Sequence, residues 1–128
     1  MRQLCLVIFA ASTISAQTSE LFELSVRPVL MKSCVPCHGP AQQSSSLRLD
    51  SRDAMLKGGN RGPALIPGDP TASLLAKSIR HEDETLKMPV GNKRLKDSDI
   101  AAIEKWITLG APWPADNFSL SNIRLVKQ

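Results

Sequence analysis

Cys34, Cys37 and His38 fall within five residues of one another, in the stretch "SCVPCHGP" over 33–40. Two thiols three apart, with an imidazole directly behind the second, suit three chemistries. These are a dithiol redox switch, half of a zinc site, and covalent attachment of a haem, and the Cys-x-x-Cys-His order favours the last. A thiol oxidoreductase wants its cysteine pair after a strand and at the opening of a helix, in a fold with a sheet. Here the pair ends a helical pattern, and no stretch alternates long enough to build a sheet. A zinc-binding module would draw on Cys34, Cys37, His38 and His81, but adjacent residues make awkward co-ligands and no second Cys-x-x-Cys follows.

In the haem reading both thiols bond the vinyl groups and His38 faces the iron from the proximal side. The sixth iron position then has three candidates, Met55, His81 and Met88. Met55 lies among apolar neighbours on a short helix, where core packing is the ordinary role. His81 ends a helix, where an imidazole complements the carbonyl end of the dipole. Met88 is a lone thioether in the polar loop "LKMPV", pressed towards an extended conformation by Pro89. A methionine so placed has little packing role, and it is the favoured distal ligand. A haem enzyme of peroxidase type is the rival: it needs an open or displaceable sixth site and a distal base, for which His81 is the one histidine left.

These residues need elements to position them. Thr18 is placed to cap a helix carrying Glu20 and Glu23 early and Leu21, Phe22, Val26, Val29 and Leu30 at helical spacing. Pro28 removes a backbone donor inside it, so a kink or restart is expected near Ser25 to Arg27. After the polar loop "HGPAQQSSS", "LRLDS" reads as a short extended piece, followed by a brief helix from Asp50 or Ser51 to Lys57 that Gly58 and Gly59 end. "NRGPALIPG" favours turns. Asp69 and Pro70 read as cap and first position of a helix through "TASLLAKSIRH". Asp97 or Ser98 caps a last helix whose Ile100, Ile103, Trp106 and Ile107 share one face, stopped by Gly110 and Pro112. The expected fold is all-α, three to four helices joined by long loops. Such loops are uncommon in a compact domain unless they serve a function or wrap something, and a haem would be such a thing.

The start "MRQLCLVIFAASTISAQ" has a basic residue, a short apolar run and small residues up to Ala16, the order of a secretory signal. The run is too short to span a membrane, which takes about 20 apolar residues. The expected organisation is a leader over 1–16 and a domain over 17–128, with its core at about 20–114 and a tail over 115–128 expected to be flexible. Cleavage would remove Cys5, leaving Cys34 and Cys37, and a bridge across so short a gap closes almost no loop. The net charge of +4 is spread along the chain, with no clustered basic face of the kind that nucleic acid requires. The mature chain has Phe22, Phe118, Trp106 and Trp113 and no tyrosine, a thin supply of large side chains that a flat apolar cofactor would supplement.

The segments "FELSVRPVLMKSCVPCHGP", "LRLDSRDAMLKGG", "GPALIPGDPTASLLAKSIRHEDETLKMP" and "DIAAIEKWITLGAPWP", in that order, resemble the planctomycete-type cytochrome c domain, a branch of the class I c-type cytochromes. The chain departs from that pattern in "QQSSS", which lacks a common glycine pair, and at Val90, where a second proline is common. The resemblance implies one covalently bound haem c, with thioethers to Cys34 and Cys37, His38 as proximal and Met88 as distal iron ligand. It also implies that the first and last helices pack across each other. The activity it implies is one-electron transfer outside the cytoplasm, in the periplasm or beyond, by a carrier and not an enzyme. A His/Met pair leaves no open coordination site, and the soft thioether raises the reduction potential. The expected partner is a redox protein; Lys87, Lys93, Arg94 and Lys96 near the methionine loop would steer an acidic one. The chain is read either as a free-standing carrier or as a piece of a longer protein.

Overall fold

The structure, a computed structural model, describes residues 14–114 apart from Asn92. Most of the expected leader and all of the tail over 115–128 lie outside the described residues. Helix α1 occupies 14–34, and three short helices follow: α2 (Arg52–Lys57), α3 (Leu74–Arg80) and α4 (Asp97–Thr108). A single 3₁₀ turn, Ser44–Ser46, interrupts the loop between α1 and α2. The described residues contain no strand, and none of their helices is long and apolar enough to cross a membrane.

Proline shapes α1 where the sequence predicts it. Pro28 has no N–H to give, and one residue ahead of it the N–H of Arg27 reaches five residues back to the Phe22 carbonyl. The helix therefore passes through a wide turn, Phe22–Val26, then an ordinary turn, Arg27–Val29, then a second wide turn, Leu30–Cys34. Thr18 does not cap this helix: it lies inside it, and its hydroxyl donates to the Ser15 carbonyl at 2.9 Å. The reason is that helical conformation already holds at 14, so Thr18 has no free amide turn to cap.

Other boundaries shift for similarly local reasons. Ser51 caps α2 through the Ala54 N–H, and Gly58 ends it at φ +75°. A side chain at Gly58 would stand 2.0 Å from the Gly62 carbonyl oxygen, so this exit is open to glycine alone. Asp69 accepts the Ala72 N–H but caps only a turn, and α3 begins later than expected, at Leu74. Ser73 breaks the run: it is extended, fully buried, and its hydroxyl accepts the Ile66 N–H at 2.9 Å while donating to the Asp69 carbonyl at 2.8 Å. Helix α4 is preceded by Lys96 without a side-chain cap, because Asp97 instead accepts a hydrogen bond from Arg94 at 2.7 Å.

The core forms where α1 packs on α4. Phe22, Val26 and Leu30, one helical face, are buried with Ile100, Ile103, Trp106 and Ile107 from α4. Phe22 lies 5.5 Å from Trp106 and 4.6 Å from Trp113 between ring centroids, at tilted angles suited to aromatic pairs. The Trp106 indole N–H donates to the Pro112 carbonyl at 2.8 Å, which brings Trp113 back onto the cluster. Arg27 covers it from outside, 4.8 Å from the Phe22 centroid, and holds the buried Glu23 carboxylate through two hydrogen bonds at 2.8 and 3.1 Å. The loops attach to this frame. Arg52 donates to the carbonyls of Ala111 and Gly110, and the Gly68 N–H to that of Ile107 at 2.8 Å.

Phe22→Ala in the haem-loaded protein is expected to cost about 3–5 kcal/mol, as large-to-small changes at packed aromatic sites do. Leu24→Ala, at a position 51 % exposed, should stay within about 0.5 kcal/mol. Guanidinium unfolding midpoints of the two variants check both values.

Candidate functional site

The second wide turn of α1 delivers Cys34, and its carbonyl accepts two amides, from Cys37 at 3.2 Å and His38 at 2.9 Å. One more tight turn thus carries the chain through "CVPCH". Gly39 follows because any side chain there would stand 2.5 Å from the Val35 carbonyl oxygen. The chain then closes on itself: the Ser44 N–H donates to the Cys37 carbonyl at 2.9 Å and the Leu49 N–H to the His38 carbonyl at 2.8 Å. His38 is left 7 % exposed inside this loop.

Its Nδ1 lies 3.0 Å from the Ser44 carbonyl oxygen. A carbonyl only accepts, so Nδ1 carries the hydrogen, and in the neutral ring the lone pair lies on Nε2. This is the tautomer of a metal-ligating imidazole oriented by a second partner. Sequence reasoning found His38 but not Ser44, since a backbone carbonyl six residues away leaves no mark in residue types.

The two thiols differ. Cys34 is buried, and Cys37 is exposed. Burial, and secondarily the neighbouring Cys37, pushes the Cys34 thiol up to about 11. At neutral pH it is fully protonated, and the thiolate is the reactive form.

Met88 is brought to the same place by the loop that follows α3. After α3, His81 turns the backbone into the left-handed region at φ +59°. Asp83 organises the next turn by accepting the Thr85 N–H and hydroxyl, each at 2.8 Å, and these bonds hold its carboxyl below the usual carboxylate range. The Met88 N–H then donates to the Ser78 carbonyl at 3.0 Å. The His81 ring gives its Nε2–H to the Met88 carbonyl at 2.8 Å.

A cavity of about 710 Å³, within the size range of small-molecule and cofactor sites, brings Cys34, Cys37, His38 and Met88 together. Its remaining lining is largely apolar, with Leu47, Leu49, Leu75 and Ile79 among it, and Lys32, Arg61 and Lys93 supply positive charge. Neither Met55 nor His81 lines it: Met55 is fully buried in the core, and the His81 Nε2 is engaged with Met88. Leu47, Leu49 and Leu86 of this lining come from segments without regular structure, where periodicity carries no signal. The basic group around the methionine loop is partly neutralised, since Lys87 pairs with Glu84 at 2.6 Å and Arg94 with Asp97.

The residues fit a haem. The space is mostly apolar, one imidazole has its Nε2 unused by the protein, a thioether lines the same volume, and two thiols stand beside the imidazole. Residues 34–89 match the family model described as planctomycete cytochrome C, which points to a c-type cytochrome. Within that class the match is consistent with a planctomycete-type cytochrome c domain. The matched span opens at Cys34 and closes at Pro89, next to Met88, and leaves α4 and most of α1 outside it. No curated protein and no solved structure matches the chain.

In the haem-free protein, iodoacetamide at pH 8 is expected to alkylate Cys37 on the order of tenfold faster than Cys34, with the difference closing as pH approaches 11. Peptide mass mapping over time reads both rates. Equal rates would mean that the chain without its cofactor does not hold the fold that buries Cys34.

Proposed function

We propose that this chain is an exported one-electron carrier of class I cytochrome c type. Cys34 and Cys37 hold one haem through thioether bonds, His38 Nε2 is the proximal iron ligand and Met88 the distal one. The hydrogen bond from His38 Nδ1 to the Ser44 carbonyl carries this reading, because it commits the imidazole to ligation through Nε2 inside the cavity that Met88 also lines. The haem supplies a metal that cycles between two oxidation states. The protein's part is to orient the imidazole, keep water from the apolar walls and present a thioether that favours the reduced metal. With both axial positions taken, no substrate binds, and the domain acts as a carrier and not an enzyme. Residues 1–16 are the export leader in this reading, 17–128 form the domain, and a redox protein partner meets it outside the cytoplasm.

Expression of the precursor with a cytochrome c maturation system, followed by intact mass measurement of the denatured exported protein, tests the proposal. The expected mass is that of 17–128 plus one haem, and the haem is lost in a Cys34→Ser, Cys37→Ser double variant. An unmodified mass, or zinc released on denaturation, would remove the reading. Met88→Ala should abolish the methionine-to-ferric-iron charge-transfer band in the near infrared and lower the reduction potential. An unchanged band would take Met88 off the iron.

A further inference from the structure

Both backbone polar groups of Met88 are held by the end of α3. Its N–H donates to the Ser78 carbonyl at 3.0 Å, and its carbonyl accepts from His81 Nε2–H at 2.8 Å. The second bond spans the whole loop between the two residues, and His81 reaches across it from a left-handed conformation, φ +59° and ψ +29°. Such a backbone is uncommon outside glycine and persists where the surroundings fix it. The ring has no place in the cavity lining, so its contact with the site runs through the Met88 carbonyl.

We propose that His81 is a positioning residue for the Met88 thioether, holding the carbonyl of the ligand residue so that thioether loss from the iron is rare. The inference rests on Met88 being the distal ligand. Removing the ring leaves the Met88 N–H bond to Ser78 and helix α3 intact. Only the second point of attachment is lost, and the loop gains the freedom to swing the sulfur away. An external ligand that must displace the thioether then binds more tightly, because its apparent affinity scales with the fraction of protein in the displaced state.

The test uses the haem-loaded ferric protein and imidazole as the displacing probe, with the near-infrared methionine band recorded in parallel. His81→Gly accepts the left-handed backbone and lacks the donor. Its apparent imidazole affinity should rise about 3- to 10-fold, the ratio that one ordinary hydrogen bond supplies, with a weaker band before addition. His81→Gln restores an N–H at similar reach and should return to within about twofold of the parent. If His81→Gly does not load haem, His81→Asn replaces it, being suited to the left-handed backbone but too short to reach Met88. An unchanged affinity in His81→Gly, or a His81→Gln value equal to that of His81→Gly, overturns the role of the hydrogen bond. If the parent shows no methionine band and Met88→Ala binds imidazole no better than the parent, Met88 ligation itself has failed, and the inference with it.

Discussion

The packing of Phe22 between Trp106 and Trp113 is the contact on which the rest of this fold depends. It joins the first helix to the last, and it uses three of the few large side chains in the sequence in one place. Burying a side chain of this size contributes roughly 1.5–3 kcal/mol relative to exposure, more than the roughly 0.5–1.5 kcal/mol of a typical single hydrogen bond. Arg27 completes it by covering the rings while neutralising Glu23, so a carboxylate 4 % exposed carries no unpaired charge. With these three rings committed to the helix crossing, the described residues bring no further Phe or Trp to the side of the molecule where the cavity lies.

That side is shaped by backbone hydrogen bonds more than by side-chain packing. Among the described residues no sheet is available to pair the amides of the long loops, so these loops pair with themselves, with a helix end or, as the Asn60 N–H does with the Ser45 carbonyl at 2.9 Å, with one another. The loop after His38 closes through Ser44 and Leu49, and in doing so fixes the imidazole tautomer. The loop before Met88 closes through Ser78 and His81. Position and protonation at the site thus follow from how the loops satisfy their own polar groups.

Much of this could be read from residue types. The Cys-x-x-Cys-His order, the Met-Pro pair, the apolar face of α4 and the disturbance at Pro28 are local patterns, and they appear where periodicity and backbone chemistry place them. What was not legible depends on distant partners. Asp69 and Pro70 announce a helix that starts only at Leu74, because Ser73 spends its hydroxyl on Ile66 and Asp69 instead of capping. Asp97 and Ser98 both suit a cap, but both lie inside the helix behind Lys96, and Asp97 serves Arg94. Ser44 matters through its carbonyl, which every residue possesses, and His81 through a ring that reaches a neighbour seven residues on.

The bond from the Gly68 N–H to the Ile107 carbonyl has a wider effect than its single contact suggests. Together with the bond from the Ala64 N–H to the Met55 carbonyl, it divides the irregular chain between α2 and α3 into short spans, each fastened at both ends to a helix. The entropy of closing a loop grows with its length, so several short spans retain less freedom than one long one. The wall that Ala64 and its neighbours contribute is therefore braced by the helices themselves, and whatever occupies the cavity meets a surface with little left to order.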